Sequence, residues 1–248
     1  TGKKGDTDKF YCVHGGYIRD FDFDSTAFVQ NNNGLTADYL NQLDELNQWA
    51  LYVTQQALTD AGYWRSDKLE NCGVILGNLS FPTKSSNHLF LPLYNQVVDN
   101  ALQKLLNKDF QLSHFSPLQA PQQENTHPDN ALVAGYPSAL LAKATGLGGS
   151  HFALDAACAS SCYSVKLACD YLHTGKADMM LAGAVSGSDP MFVNMGFSIF
   201  QAYPANNIHA PFDKNSQGLF AGEGAGMMVL KRHSDAVRDG DKIHAIIK

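Results

Sequence analysis

The chain has 248 residues, 18 Lys and Arg against 24 Asp and Glu, and a formal charge of −6. A hydrophobic content of 44% excludes a disordered polyelectrolyte, and the acidic balance gives no electrostatic basis for binding a nucleic-acid backbone. Only 17% of the residues are charged, against roughly 25% in an average soluble domain, so much of the surface is expected to lie in a large core or against a partner.

Along the chain, residues 6–33 read as strand and loop, with short β-type runs at 10–13 and 16–18 and a breaker at 31–34. Leu43, Leu46, Ala50, Val53, Ala57, Leu58 and Ala61 recur at spacings of three and four, which predicts an amphipathic helix over 43–61 stopped by Gly62. Gly73-Val74-Ile75-Leu76-Gly77 is a short apolar run between glycines, the pattern of a strand buried on both faces. The stretch from 80 to 130, rich in Pro, Gln and Asn, reads as a long excursion with one helical patch at 93–106. Such a stretch is an interface segment, a lid or a plain surface elaboration.

The texture then changes. Residues 132–144 are helix-like and end near Gly146, 150–156 read as a buried strand, and small residues from Ala157 open a helix to about His173. Residues 179–186 form another continuous apolar strand, and 227–230 and 243–247 are strand candidates around a charged turn. Strand, helix and strand with apolar runs rather than alternation predict an α/β fold whose sheet is mostly parallel or mixed and covered on both faces.

Five cysteines in this length make no disulfide framework, so free thiols in a reducing compartment are expected. No window approaches ~20 apolar residues, and the N-terminus is polar, without an apolar leader. A cytoplasmic protein with no membrane span is the reading. A first residue other than Met leaves an upstream targeting segment open.

The densest chemistry is Asp155-Ala156-Ala157-Cys158-Ala159-Ser160-Ser161-Cys162. A buried strand ends, small residues make a tight turn, and a helix begins with Cys158 at or near its first turn. Helix N-termini present unpaired N–H groups and the positive end of the dipole, which stabilise a thiolate or a developing oxyanion. This is the layout of a nucleophile elbow with Cys in place of Ser; the competing reading is a small buried hydrophobe at a turn. Cys162 and Cys169 lie deeper in the helix and read as inert buried thiols, and no paired C-x-x-C spacing supports a metal site. Asp155 reads as a structural acceptor at the elbow. Glu223, among glycines, reads as a holder of adjacent N–H groups, and the Gly222-to-Gly226 repeat precedes a strand, so a dinucleotide-binding reading fails.

These residues resemble the β-ketoacyl synthases of fatty acid and polyketide synthesis. The family's nucleophile motif reads approximately D-T-A-C-S-S-S, matched here by residues 155–161 with Ala156 and Ala159 as small departures. Pro137 to Ala142 with Gly146 to Gly149, and Ala177 to Ala184, are similar to its helix-turn and A-D-x-A-L-A-G-G stretches. Pro211-Phe212-Asp213 with residues 218–226 resembles R-P-F-D…D-G-F-x-x-G-E-G-A. The wording around Cys158 is similar to ketosynthase domains of bacterial polyunsaturated fatty acid synthases. The resemblance is loose over 10–78, close over 131–248, and poor at about 80–130.

The resemblance implies a thiolase-like layered fold (α/β/α/β/α), with residues 1–248 as the N-terminal, nucleophile-bearing part of a duplicated domain. It implies decarboxylative Claisen condensation: Cys158 accepts an acyl chain as a thioester, its backbone N–H serves as an oxyanion donor, and a malonyl-derived carbanion attacks. Substrates ride on the phosphopantetheine of an acyl carrier protein, no cofactor or metal is bound directly, and the partner is a second copy or a chain-length factor. Phe197, Phe200 and Leu219 are the implied acyl-pocket residues; Met191, Phe192 and Met195 share the apolar run with Phe197 and Phe200, and such a run is more often core than a ligand box. The family's two histidines, in H-G-T-G-T and G-H contexts, are not among the nine here, and His14, His151 and His209 read as structural or exposed. These residues alone are therefore expected not to condense. Two other functions compete: a non-condensing chain-length-factor-like half, whose nucleophile position is usually not Cys, and a Cys-dependent thioester hydrolase, which needs an oriented His.

Overall fold

The computed structural model describes residues 2–6, 8–29, 33–107 and 126–248. Residues 31 and 32 of the expected breaker, and 108–125 of the expected excursion, lie outside the described residues. Four strands, β1 (Cys72–Asn78), β2 (His151–Leu154), β3 (Met179–Ser186) and β4 (Gly224–Lys231), form one mixed sheet in the order β2-β1-β3-β4. The central strand β1 runs parallel to β2 and β3, and β4 is antiparallel to β3.

The helices are α1 (Ala37–Asn41), α2 (Glu45–Asp60), α3 (Lys84–Leu106), α4 (Tyr136–Thr145), α5 (Ser160–His173), α6 (Pro190–Ile199) and α7 (His233–Asp239). All seven residues of β1 are buried because both faces of the sheet are covered. Cys72, Val74 and Leu76, with Met179, Leu181 and Val185, share one core with Leu46, Trp49, Leu58, Leu140 and Leu141 of α2 and α4. The alternate residues Ile75, Met180 and Ala182 share the other with Ala168 and Leu172 of α5. Period-two pleating between two apolar layers is what turns these strands into continuous apolar runs. Of the five layers implied by the resemblance, one sheet and a helix layer on each face stand among the described residues.

Local chemistry sets the helix ends. The Asp44 carboxylate caps α2 through the Leu46 N–H, and Gly62 takes a left-handed φ of 76° just past its end. α5 buries Ser160, Ser164, Ala168 and Leu172, one residue in every four, and the first three are small side chains that let its N-terminal part sit close to the sheet. Among the described residues no helix is long and apolar enough to cross a membrane.

Several expectations are corrected. Among the described residues the runs at 10–13 and 16–18 form no ladder: the Phe10 carbonyl accepts the Gly2 N–H, the Gly16 N–H goes to the Ala221 carbonyl and the Tyr11 N–H to the Ser198 hydroxyl. The helix expected from 93 starts nine residues earlier, at Lys84, because Thr83 and Ser86 form a capping box that outweighs the interruption at Pro92. Residues 150–156 give a short edge strand, half-exposed rather than buried. Among the described residues, 243–247 pair with no strand, and Ile243, Ile246 and Ile247 are exposed. Cys162 is exposed and Cys169 half-buried, because both fall off the four-residue stripe that faces the sheet.

One charged cluster ties β4 to the loop after α2. The Lys231 ammonium donates to Asp239 at 2.8 Å and to the Tyr63 hydroxyl at 2.8 Å and pairs with Asp241, while the Tyr63 hydroxyl donates to Asp241 at 2.6 Å. Burial opposes the Lys231 charge, yet its bonds to Asp239, Asp241 and Tyr63 hold its pKa above the ordinary lysine value. Arg238 and then Lys231 hold Asp239 below the usual carboxylate range; Asp241 is also lowered, burial being outweighed by Lys231 and Tyr63. A carboxylate depressed in the folded state adds stability above its unfolded pKa and loses it as pH falls through the folded value. The urea midpoint is therefore expected to hold down to about pH 5 and to drop below about pH 4. Asp239→Asn and Asp241→Asn should each flatten that acid limb, and an unchanged limb in both variants would contradict the assignment.

Candidate functional site

Because β1, β2 and β3 are parallel, their carboxyl ends, Asn78, Leu154 and Ser186, lie along one edge of the sheet. The antiparallel β4 enters at the same edge, with Gly224 opposite Ser186 and the Ser186 hydroxyl on the Gly222 carbonyl. The two motifs singled out in the sequence, around Cys158 and around Glu223, are thus delivered to one edge. In open α/β sheets this carboxyl edge is where ligands bind.

The link from β2 to α5 is a held elbow. Ala157 adopts a left-handed φ of 50°, a conformation that an L side chain takes only when the surroundings impose it. One Asp155 oxygen accepts the Ala157 N–H at 2.9 Å and the other accepts the Ser80 N–H at 3.2 Å, so Asp155 is the structural acceptor expected. From the other side the buried Ser160 hydroxyl accepts the Ala156 N–H at 2.9 Å and donates to the Ala157 carbonyl at 2.7 Å. Beneath it Gly77 leaves space for the helix: a Cβ there would stand 2.8 Å from the Ser160 carbonyl carbon and 2.9 Å from its oxygen.

Cys158 sits at the crest of this turn and is exposed. It precedes α5 by two residues instead of lying in its first turn, and Ala159 at the N-cap offers no side-chain acceptor. The sulfur is therefore next to the N-terminus of α5, where the Ser160 N–H donates to the Ala157 carbonyl and no side chain caps the helix. Cys12 and Cys72 differ: both are buried, and burial pushes the Cys72 thiol up to about 12.

The implied pocket residues are spread over α6 and the following loop. Phe197 is half-buried, with its ring 5.9 Å from that of the fully buried Tyr203. Phe200, at the end of α6, is 80% exposed, and Leu219 is 41% exposed with its N–H on the Ala202 carbonyl. Near the elbow, Phe192 of α6 packs on Phe81, the residue after Ser80, at 5.1 Å. Glu223 holds the N–H of Ile18 at 2.9 Å, so it ties the N-terminal segment to this edge rather than gripping its neighbouring glycines. His14 and His209 flank the Phe220 ring at 5.8 and 5.5 Å, and His151 is exposed on β2. A cleft of about 600 Å³ lined by Arg65, Asp67, Glu70 and Thr145 shares no residue with the elbow.

Gly77, Ser80 and Ser160 carry structural duties that sequence reasoning does not assign. Only Gly77 leaves a signal, since a glycine near the end of a buried strand marks close approach of another backbone.

Residues 3–236 match the family described as "Beta-ketoacyl synthase, N-terminal domain". Two polyunsaturated fatty acid synthase chains of Thraustochytrium sp. are similar to this one. The first is 37% identical over 210 residues, covering 84% of this chain and 10% of that protein. The second is 33% identical over 249 residues, covering 97% and 8%. The chain thus spans about a tenth of these curated relatives. Among solved structures, the PfaC keto synthase-chain length factor superposes with a TM-score of 0.87 at 78% identity, over 100% of this chain and 26% of that one. The oxazolomycin ketosynthase domain of Streptomyces albus shares the fold, with a TM-score of 0.65 at 21% identity over 94% of this chain and 36% of that one.

Proposed function

The chain belongs to the β-ketoacyl synthase family, and from that premise we propose that it is the nucleophile-bearing part of a ketosynthase that builds polyunsaturated acyl chains. The Cys158 thiolate attacks the carbonyl of an acyl thioester held on the phosphopantetheine of an acyl carrier protein. The tetrahedral oxyanion collapses, the carrier thiol leaves, and the acyl group remains on Cys158 as a thioester. A malonyl thioester on a carrier then loses CO2, and its carbanion attacks that carbonyl, forming the new C–C bond and releasing the Cys158 thiolate. The histidine motifs that the family uses for decarboxylation are not in these 248 residues, so this part taken alone does not condense. The partner is a second copy or a chain-length factor, as in the two-part name of the PfaC relative.

The observation that carries this reading is an exposed thiol on a rigidly held turn, beside an uncapped helix N-terminus at the carboxyl edge of the sheet. The chain-length-factor reading draws support from the same relative's name, but a thiol at the elbow favours the condensing half. For the hydrolase, the side chains bonded to the elbow backbone among the described residues are Asp155 and Ser160, with no imidazole.

Iodoacetamide or a cerulenin-type reagent applied to the folded protein tests the assignment. Cys158 is expected to label first, Cys162 and Cys169 more slowly, and the buried Cys12 and Cys72 only on unfolding. Labelling of Cys162 or Cys169 while Cys158 stays unmodified would contradict it.

A further inference from the structure

We propose that Asp155 is a positioning residue for Cys158, acting through the backbone by tying the elbow to the segment 80–87. The proposal rests on the reading of Cys158 as the acyl acceptor.

The segment gripped by Asp155 is anchored along its length. The Asp189 N–H donates to the Pro82 carbonyl at 2.7 Å, and the Asp189 carboxylate accepts from the Asn87 amide at 2.9 Å. The Ser85 N–H donates to Asp44 at 3.2 Å, and the other oxygen of that carboxylate caps α2. The buried Thr83 and Ser86 close on each other in the capping box of α3. Ser80 stands at the elbow-facing end of this segment, so a carboxylate bound to its N–H is bound to a fixed point.

The other Asp155 oxygen holds the N–H of Ala157, the residue in the left-handed conformation immediately before Cys158. Nothing in the covalent chemistry of alanine keeps it there. Its hydrogen bonds do: Asp155 accepts its N–H, and the hydroxyl and backbone N–H of Ser160 both donate to its carbonyl. Without Asp155, Ala157 is held on one side only, and relaxation of its φ swings the next residue, which is Cys158. The packing of α5 on the sheet passes through Ser160, Ser164, Ala168 and Leu172 and does not involve Asp155. Loss of Asp155 is thus expected to misplace the thiol while leaving the fold intact.

The readout is the alkylation rate of Cys158 relative to Cys162 in the full chain. Both cysteines lie on the tryptic peptide between Lys143 and Lys166, and fragmentation assigns the label to one or the other. Asp155→Ala is expected to lower the Cys158:Cys162 ratio by about tenfold, the scale of losing two hydrogen bonds, with the circular dichroism unchanged. Asp155→Asn removes the charge but keeps one carbonyl acceptor and should fall between wild type and Asp155→Ala. Ser80→Pro deletes the partner N–H without touching the elbow sequence and should lower the ratio in the same direction. An unchanged ratio in Asp155→Ala would overturn the proposal. So would Ala and Asn variants that behave alike and label faster than wild type, since charge rather than hold would then be the cause. Alkylation needs no acyl donor, so this ratio tests Asp155 by itself, and acylation of the wild-type protein tests the acyl-acceptor reading separately.

Discussion

Cys158→Ala is expected to eliminate acyl transfer and condensation in the full-length protein, a fall on the order of 10⁴-fold or more, as when another enzyme loses its covalent nucleophile. No other thiol is placed to substitute. Cys12 and Cys72 are buried, Cys169 is half-buried, and Cys162, although exposed, is inside α5 rather than at its N-terminal end. Since Cys158 is exposed and its side chain fills no core, the substitution should move stability by no more than about 0.5 kcal/mol. Cys162→Ala is the matched control and should retain activity. Turnover by Cys158→Ala within tenfold of wild type would remove the thiol from the mechanism.

Gly77→Ala is expected to damage both stability and catalysis, although it adds one methyl group. The methyl would be 2.8 Å from the Ser160 carbonyl carbon, 2.9 Å from its oxygen and 3.0 Å from its Cβ. Two of these three atoms are backbone, which cannot rotate away as a flexible side chain would, and β1 is fixed between β2 and β3. The first turn of α5 must therefore move. Overpacking of this kind costs roughly 1–3 kcal/mol, and a displacement of about 1 Å at a reacting atom costs about 10²-fold in rate. Because Ser160 is also the hydroxyl that holds Ala156 and Ala157, the shift passes directly to Cys158. Gly196→Ala serves as the stability control: among the described residues, nothing outside its chain neighbours and its own helix backbone lies within 4 Å of the added methyl, and alanine in a helix is worth up to about 1 kcal/mol over glycine. A urea midpoint and turnover for Gly77→Ala equal to wild type would show that the elbow does not rest on β1 at this point.

The sheet is legible in the sequence because its strands are covered on both faces, which leaves no polar alternation to confuse with a loop; residues 179–186 coincide with β3, and 73–77 fall inside β1. The elbow is legible because a strand end, small residues and a helix start follow one another within a few positions. What escapes depends on contacts between distant segments. The stripe at Ser160, Ser164, Ala168 and Leu172 is half polar, so it does not announce the face of α5 that meets the sheet, and Cys162, expected buried, is exposed. Pro92 looks like a barrier to a helix whose actual start is written in Thr83 and Ser86. The N-terminal runs have strand composition, but their partners are the Ser198 hydroxyl, the Ala221 carbonyl and Glu223 rather than a neighbouring strand. Ser80 has no signature at all, since its duty is a single N–H offered to a residue 75 positions away.

Peptide-resolved mass spectrometry of the full-length protein after exposure to an acyl-carrier thioester measures the acyl acceptor most directly. The acyl mass is expected on Cys158 in the peptide between Lys143 and Lys166, absent from Cys162 and Cys169, and lost in Cys158→Ala. Acyl mass on Cys162, or an adduct that persists undiminished in Cys158→Ala, would contradict the assignment of Cys158.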